Sequence, residues 1–291
     1  MNPIHNATSA DIRCLSLFAL ASAAAVALGS TGLALSGVSF GSWVRTPLAY
    51  CAGLMMGMGL VAIGRRRGVA MGAVVLAIVA LAATLLSPDQ SGVRRWIDFG
   101  GLHLNVAALL LPLAIVALVD IVLAGPILLA LMAAIAALLA AQPDASQATA
   151  FAVAGVILLA RRRELSPGMR LIAMIGLATF AALAWSRPDP LQPVPDVEGI
   201  FAVLAGESLL LASAAALALA ASSLMPLRSR ARGDKSGIAF GAPLAGYFVT
   251  VALMPFLGAF PVPLVGLGMS FPIGYWLGMA FLCARAPAPG R

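Results

Sequence analysis

Charge is scarce in this sequence. Of 291 residues, 10% are Asp, Glu, Lys or Arg, 7% are aromatic, and 62% are hydrophobic. A soluble domain carries about 25% charged residues and about half apolar ones, so a soluble enzyme is excluded as the class. Cysteine and histidine are nearly absent as well. Cys14, Cys51 and Cys283 lie far apart in or beside apolar segments, and His5 and His103 add no ligand spacing, so neither a zinc site nor a disulfide framework is expected. Alternation in segments of about ten residues is missing, which excludes a transmembrane β-barrel. No internal repeat or matched pair of broken helices is evident, which weighs against an inverted-repeat transporter.

What is present is a succession of uncharged Ala, Leu, Val and Gly runs, the pattern of an all-α polytopic membrane protein. The first, from Cys14 past Leu33, exceeds a typical signal-peptide core and has no small-x-small cleavage site after it, so a retained span is expected. About ten spans follow from run length: 14–37, 47–64, 68–86, 105–122, 124–141, 146–160, 169–185, 200–225, 239–258 and 262–284. An even number puts both termini on one side.

The net charge of +7 invites a nucleic-acid reading, but most arginines flank apolar runs, which explains the excess without one. With the termini cytoplasmic, Arg13, Arg65, Arg66, Arg67, Arg161, Arg162, Arg163, Arg170, Arg228, Arg230, Arg232, Lys235, Arg285 and Arg291 fall inside. Arg45, Arg94, Arg95 and Arg187 fall outside, a division of 14 against 4. Asp89, Asp98, Asp144, Asp189, Asp196 and Glu198 all sort to the external side. A single transmembrane domain over 1–291, with external loops at 87–104, 142–145 and 186–199, is the expected organisation.

Chemistry is therefore sought on those loops or in a groove between helices. Arg94, Arg95 and Trp96 could grip a lipid diphosphate, since a guanidinium fork matches phosphate oxygens, or could be an interfacial anchor. Asp144, in Gln142-Pro143-Asp144, reads either as turn chemistry or as a polar group at a groove mouth. Asp196 and Glu198 precede an apolar helix, where a carboxylate either serves the helix N-terminus or acts as a general base on a sugar hydroxyl. Glu207, about two turns further on, is costly in a span and is expected to face other helices. Asp120 reads as an interfacial acid. Gly53/Gly57 and Gly274/Gly278 are GxxxG steps for close helix packing. FPVPLVGLGMSFPIG (260–274) predicts an irregular helix entry able to line a cavity.

In order, these stretches resemble the SEDS family (shape, elongation, division and sporulation; the FtsW/RodA/SpoVE type). Arg95, Trp96 and Ile97 match its Arg-Trp-Ile, and Gln142, Pro143 and Asp144 its Gln-Pro-Asp. Ile200, Phe201, Ala202 and Val203 match the end of its His-Thr-Asp-Phe-Ile-Phe-Ala-Val, with Glu207 at the second glutamate of the following Glu-Glu-Leu-Gly. Pro261, Pro263, Gly268 and Ser270 are in register with its Pro-Leu-Pro-Phe-x-Ser-Tyr-Gly-Gly-Ser stretch. The resemblance implies a multi-pass protein of the bacterial cytoplasmic membrane that polymerises lipid II outside the bilayer, in cell-wall synthesis, division or shape, beside a class B penicillin-binding protein. It implies that Glu198 stands at the position of the family's catalytic aspartate.

Several polar positions depart from the pattern. Asp196 and Val197 replace the His-Thr pair, and an added methylene at Glu198 moves a base by about 1 Å. The family's Gln-Pro-Ser-Glu-x-x-Lys reads NVAALLL, so Ala108 and Leu111 replace an intramembrane ion pair. Its Ser-Tyr-Gly-Gly reads Gly266, Leu267, Gly268 and Met269, and the external loop before Glu198 is strongly shortened. Three functions follow: a glycosyltransferase with Glu198 as base and Arg94 and Arg95 on the donor diphosphate, with a divalent cation such as Mg²⁺ as a candidate companion; a catalytically silent scaffold for a penicillin-binding protein; or a transporter of lipid-linked precursors.

Overall fold

Most of each apolar run becomes helix, and the helices follow the order expected from the sequence. The structure is a computed structural model that describes residues 9–66, 68–100, 102–187, 189–229 and 239–285. Its helices are α1 (Ser9–Leu35), α2 (Phe40–Trp43), α3 (Arg45–Ile63), α4 (Val69–Thr84), α5 (Val106–Asp120), α6 (Gly125–Ala141), α7 (Ala145–Arg161), α8 (Pro167–Trp185), α9 (Ile200–Glu207), α10 (Leu209–Leu224), α11 (Ala242–Leu253) and α12 (Ser270–Arg285). Among the described residues four helical stretches, Arg13–Leu35, Phe40–Ile63, Pro167–Trp185 and Leu209–Arg228, are long and apolar enough to cross a membrane, and five shorter apolar helices accompany them. Large side chains such as Leu20, Leu48, Met55, Ile172, Leu210, Leu217 and Phe256 project outward. An apolar exterior over an apolar core is the pattern of a bundle solvated by lipid tails.

α12 is the central helix, held between α3 and α5. Tyr275, Trp276, Met279, Ala280 and Phe281 on it are buried. The GxxxG steps explain the close approach. A Cβ on Gly274 would lie 2.1 Å from the Ala108 carbonyl oxygen, and one on Gly53 would lie 2.8 Å from the Ile273 Cα. Backbones this close leave no room for any larger residue, as expected of small residues at membrane helix interfaces.

Two features differ from the sequence reading, and a third, the irregular entry to the last span, is the one that 260–274 predicted. The span expected at 200–225 is broken: Ser208 is extended (φ −166°, ψ 126°), ends α9, and caps α10 by accepting from the Leu211 amide at 3.4 Å. A serine hydroxyl competing for backbone donors explains the break. The span expected from 262 begins as a helix only at Ser270. Pro261 and Pro263 cannot continue a hydrogen-bonded ladder, and the segment runs as a buried irregular loop. Its amides are nonetheless satisfied, with Val262 N donating to Val197 O (3.1 Å), Leu267 N to Asp196 O (2.8 Å) and Gly268 N to Thr46 Oγ1 (3.1 Å). Last, the 87–104 loop contains a hairpin, β1 (Trp96–Phe99) antiparallel to β2 (Leu102–Asn105), with Trp96 opposite Asn105. Of the residues singled out in the sequence, His5, Arg67, Arg230, Arg232, Lys235 and Arg291 lie outside the described residues.

Candidate functional site

One end of the bundle holds a cavity of about 350 Å³. Its walls come from four separated segments: the β1–β2 hairpin, the start of α7, the loop 186–199, and the irregular entry to α12. Arg95, Trp96, Asp144, Asp189 and Glu198 all line it, together with Asn105, Gln147 and Ser270.

The floor is built from helix N-termini. Asn105 caps α5, its Oδ1 accepting from Ala108 N at 2.9 Å, and Asp144 caps α7, its Oδ1 accepting from Gln147 N at 3.2 Å. The two caps are joined, since Asn105 Nδ2 donates to Asp144 Oδ2 at 3.2 Å. Asn105 N also donates to Ser270 Oγ, at the start of α12, at 2.8 Å. Three positive helix ends thus meet at one place. Asp144 is only 2% exposed and both its oxygens are engaged. It lines the cavity as the keystone of this cap network. Gln142 is fully buried and ties α6 to α4, donating to Leu81 O (2.9 Å) and Thr84 Oγ1 (2.6 Å).

The hairpin delivers Arg95. It is 5% exposed, its guanidinium carbon sits 5.0 Å from the Trp96 ring centroid, and one terminal nitrogen is ion-paired with Asp189. Its Nε is buried without a partner among the described residues. Arg94, expected beside it on the diphosphate, turns away: it is exposed and donates to the Leu85 carbonyl at 2.9 Å. That bond satisfies the C-terminal end of α4, a use of arginine that competes with ligand binding. Arg187 does the same for α6, through Ala140 O (3.1 Å) and Ala141 O (3.0 Å).

Glu198 is half-buried, and its Oε2 accepts from the Val194 amide at 2.7 Å. Burial pushes its pKa above the ordinary glutamate value; the backbone bonds to Val194 and its own amide oppose this, the Asp189 charge adds to it, and Arg95 opposes it. The backbone just before it is held in place, because Asp196 O and Val197 O accept from Leu267 N and Val262 N. A Cβ on Gly266 would sit 2.5 Å from Val197 O, so this contact needs glycine. Asp196 contributes through that carbonyl and is not among the cavity-lining residues. Glu207 also does not line the cavity: it is exposed at the end of α9, next to the α9–α10 break.

Asp189 is the residue that sequence reasoning passed over. Its Pro-Asp-Pro setting in the shortened external loop was the available signal, but only the folded loop brings it to Arg95. Among the described residues no three carboxylate, histidine or cysteine side chains converge on a metal position.

This arrangement defines a polytopic α-helical membrane bundle with a polar cavity at one end, lined by a guanidinium and carboxylates. The same fold is found in solved structures. A crystal structure of a point mutant of the Thermus thermophilus rod shape determining protein RodA matches at TM-score 0.67 and 22% identity, over 92% of this chain and 95% of that one. RodA itself matches at TM-score 0.58 and 22% identity, over 92% and 94%. A chain from a structure describing polymerisation and crosslinking by a peptidoglycan synthase complex matches at 0.62 and 19%, over 92% and 96%. No protein-family model and no curated protein matches the sequence. The fold is that of the RodA-type SEDS proteins.

Proposed function

We propose that this chain is a SEDS-type protein of bacterial cell-wall synthesis that polymerises lipid II glycan strands at the outer face of the cytoplasmic membrane. The observation that carries the reading is that Glu198 and Arg95, 103 positions apart in sequence, line one cavity. The distribution of basic residues supports an external cavity, since most arginines flank the opposite helix ends. Arg95 holds the donor diphosphate, with Trp96 stacked behind its guanidinium. Glu198 takes the proton from the acceptor sugar hydroxyl as that oxygen bonds to the donor's anomeric carbon and the bond to the diphosphate breaks. A raised pKa suits this role, because a carboxylate that holds its proton more tightly is the stronger base. The likeness to a chain of a peptidoglycan synthase complex supports a class B penicillin-binding protein as partner.

A second reading, a silent scaffold for such a partner, has its own observation. Ala108 and Leu111, where the resembled family carries an ion pair, are fully buried and packed. Purified full-length protein supplied with labelled lipid II separates the two. Polymer formed by the wild type and lost in Glu198→Gln supports catalysis. Lipid II binding without polymer, unchanged by that substitution, supports the scaffold.

A further inference from the structure

We infer that Asp189 is a displaceable latch on Arg95: its carboxylate pairs with the guanidinium and yields to an incoming diphosphate. This rests on the reading of the cavity as a diphosphate site. Three observations carry it. First, the Arg95 guanidinium is almost wholly buried and spends a terminal nitrogen on Asp189, while its Nε points at no partner among the described residues. A planar fork with donors left over suits a ligand with more oxygens than one carboxylate offers. Second, Asp189 is 31% exposed against 6% for Arg95, so the carboxylate can swing into water while the arginine stays.

Third, the loop is divided into a loose and a fixed half. The first half is anchored at Arg187, which donates to Ala140 O and Ala141 O; beyond that anchor Leu191 N bonds within the loop, to Asp189 Oδ1 at 3.2 Å. The second half is stitched to the α12 entry through Asp196 O and Val197 O. Release of Asp189 therefore leaves Glu198 in place. A paired Asp189 imposes a cost on binding: the site is competent only in the fraction of molecules whose latch is open, and apparent affinity falls by that fraction. The device favours a ligand bearing two phosphates, which can displace a carboxylate, over a monoanion, which cannot.

The test uses full-length protein in nanodiscs and two probes, inorganic pyrophosphate and vesicle-borne farnesyl diphosphate, followed by calorimetry. Asp189→Asn and Asp189→Ser are expected to bind diphosphate about tenfold more tightly than wild type, and Arg95→Gln to lose binding. Equal or weaker binding by both Asp189 variants, with binding still lost in Arg95→Gln, overturns the latch and leaves the diphosphate site standing. Binding unaffected by Arg95→Gln overturns the site itself. Tighter binding of the lipid-borne probe identifies a lipid diphosphate as the ligand of the latched site; equal binding identifies free diphosphate. Hydrogen exchange on the wild type needs no variant. Pyrophosphate is expected to speed exchange at Leu191 and leave Val262 and Leu267 protected; bound pyrophosphate with Leu191 unchanged contradicts the latch.

Discussion

At the arginine-rich end of the bundle, cations are consumed by structure. Arg162 donates to the carbonyls of Leu118, Val119 and Ile121 at 2.8–3.2 Å, Arg65 donates to Ala284 O at 2.8 Å, and Arg285 pairs with Asp120 at 3.1 Å. These are C-terminal helix ends, whose orphan carbonyls need donors. At the cavity end, Arg94 and Arg187 are spent the same way, while Arg95 faces a hollow. The comparison shows that an arginine's position in the sequence says little about its availability. Among the described residues the basic side chain that lines this cavity is Arg95.

The largest break in this contrast is expected from Glu198→Gln, which should lower lipid II polymerisation by about 100-fold or more, the range of a lost general base, in a gel assay of glycan product. Arg95→Gln should come next, reducing polymerisation by roughly tenfold or more through weakened substrate binding. Arg94→Gln should leave it within about twofold, within the small range of surface substitutions, because its partner is the α4 carboxyl end. Equal losses from the two arginine variants would erase the distinction between them.

The pH profile sharpens the same contrast. On the proposed role Glu198 acts as its carboxylate, and burial raises its pKa, so activity should rise with pH through a point above the ordinary glutamate value. The folded state also binds that proton more tightly than the unfolded chain. Stability contributed by the protonated group is therefore full at low pH and is lost as pH climbs from the ordinary value through the raised one. Glu198→Gln should flatten this part of the pH–melting curve. A smaller effect is expected from Asp144→Ala, which removes the α7 cap and leaves Asn105 Nδ2 unpaired: about 1–2 kcal/mol of stability, read as a lower melting temperature. Glu207→Gln should be the smallest, within about 0.5 kcal/mol and without effect on polymer yield.

Much of the fold was legible because hydrophobic run length is a strong signal in lipid. The hairpin was not: WIDF and LHLN are too short for periodicity to separate strand from loop. The break at Ser208 was hidden because a serine inside an apolar run reads as a tolerated small residue until its hydroxyl is seen taking the Leu211 amide. At the site, Glu198 and Arg95 could be named from their types and neighbours. Asp189 could not, because an ion pair between residues 94 positions apart exists only after α5–α8 have folded between them. Asp144 was chosen for the right location, but its role as a cap shared with Asn105 depends on two helix ends meeting.

The measurement that bears most directly on the central claim compares wild type, Glu198→Asp and Glu198→Gln in one lipid II polymerisation assay, with melting temperatures matched. Polymer from the wild type, reduced but retained product from the aspartate, and none from the glutamine is the predicted result. Product from Glu198→Gln at the wild-type rate would contradict the assignment of Glu198 as the base of this cavity.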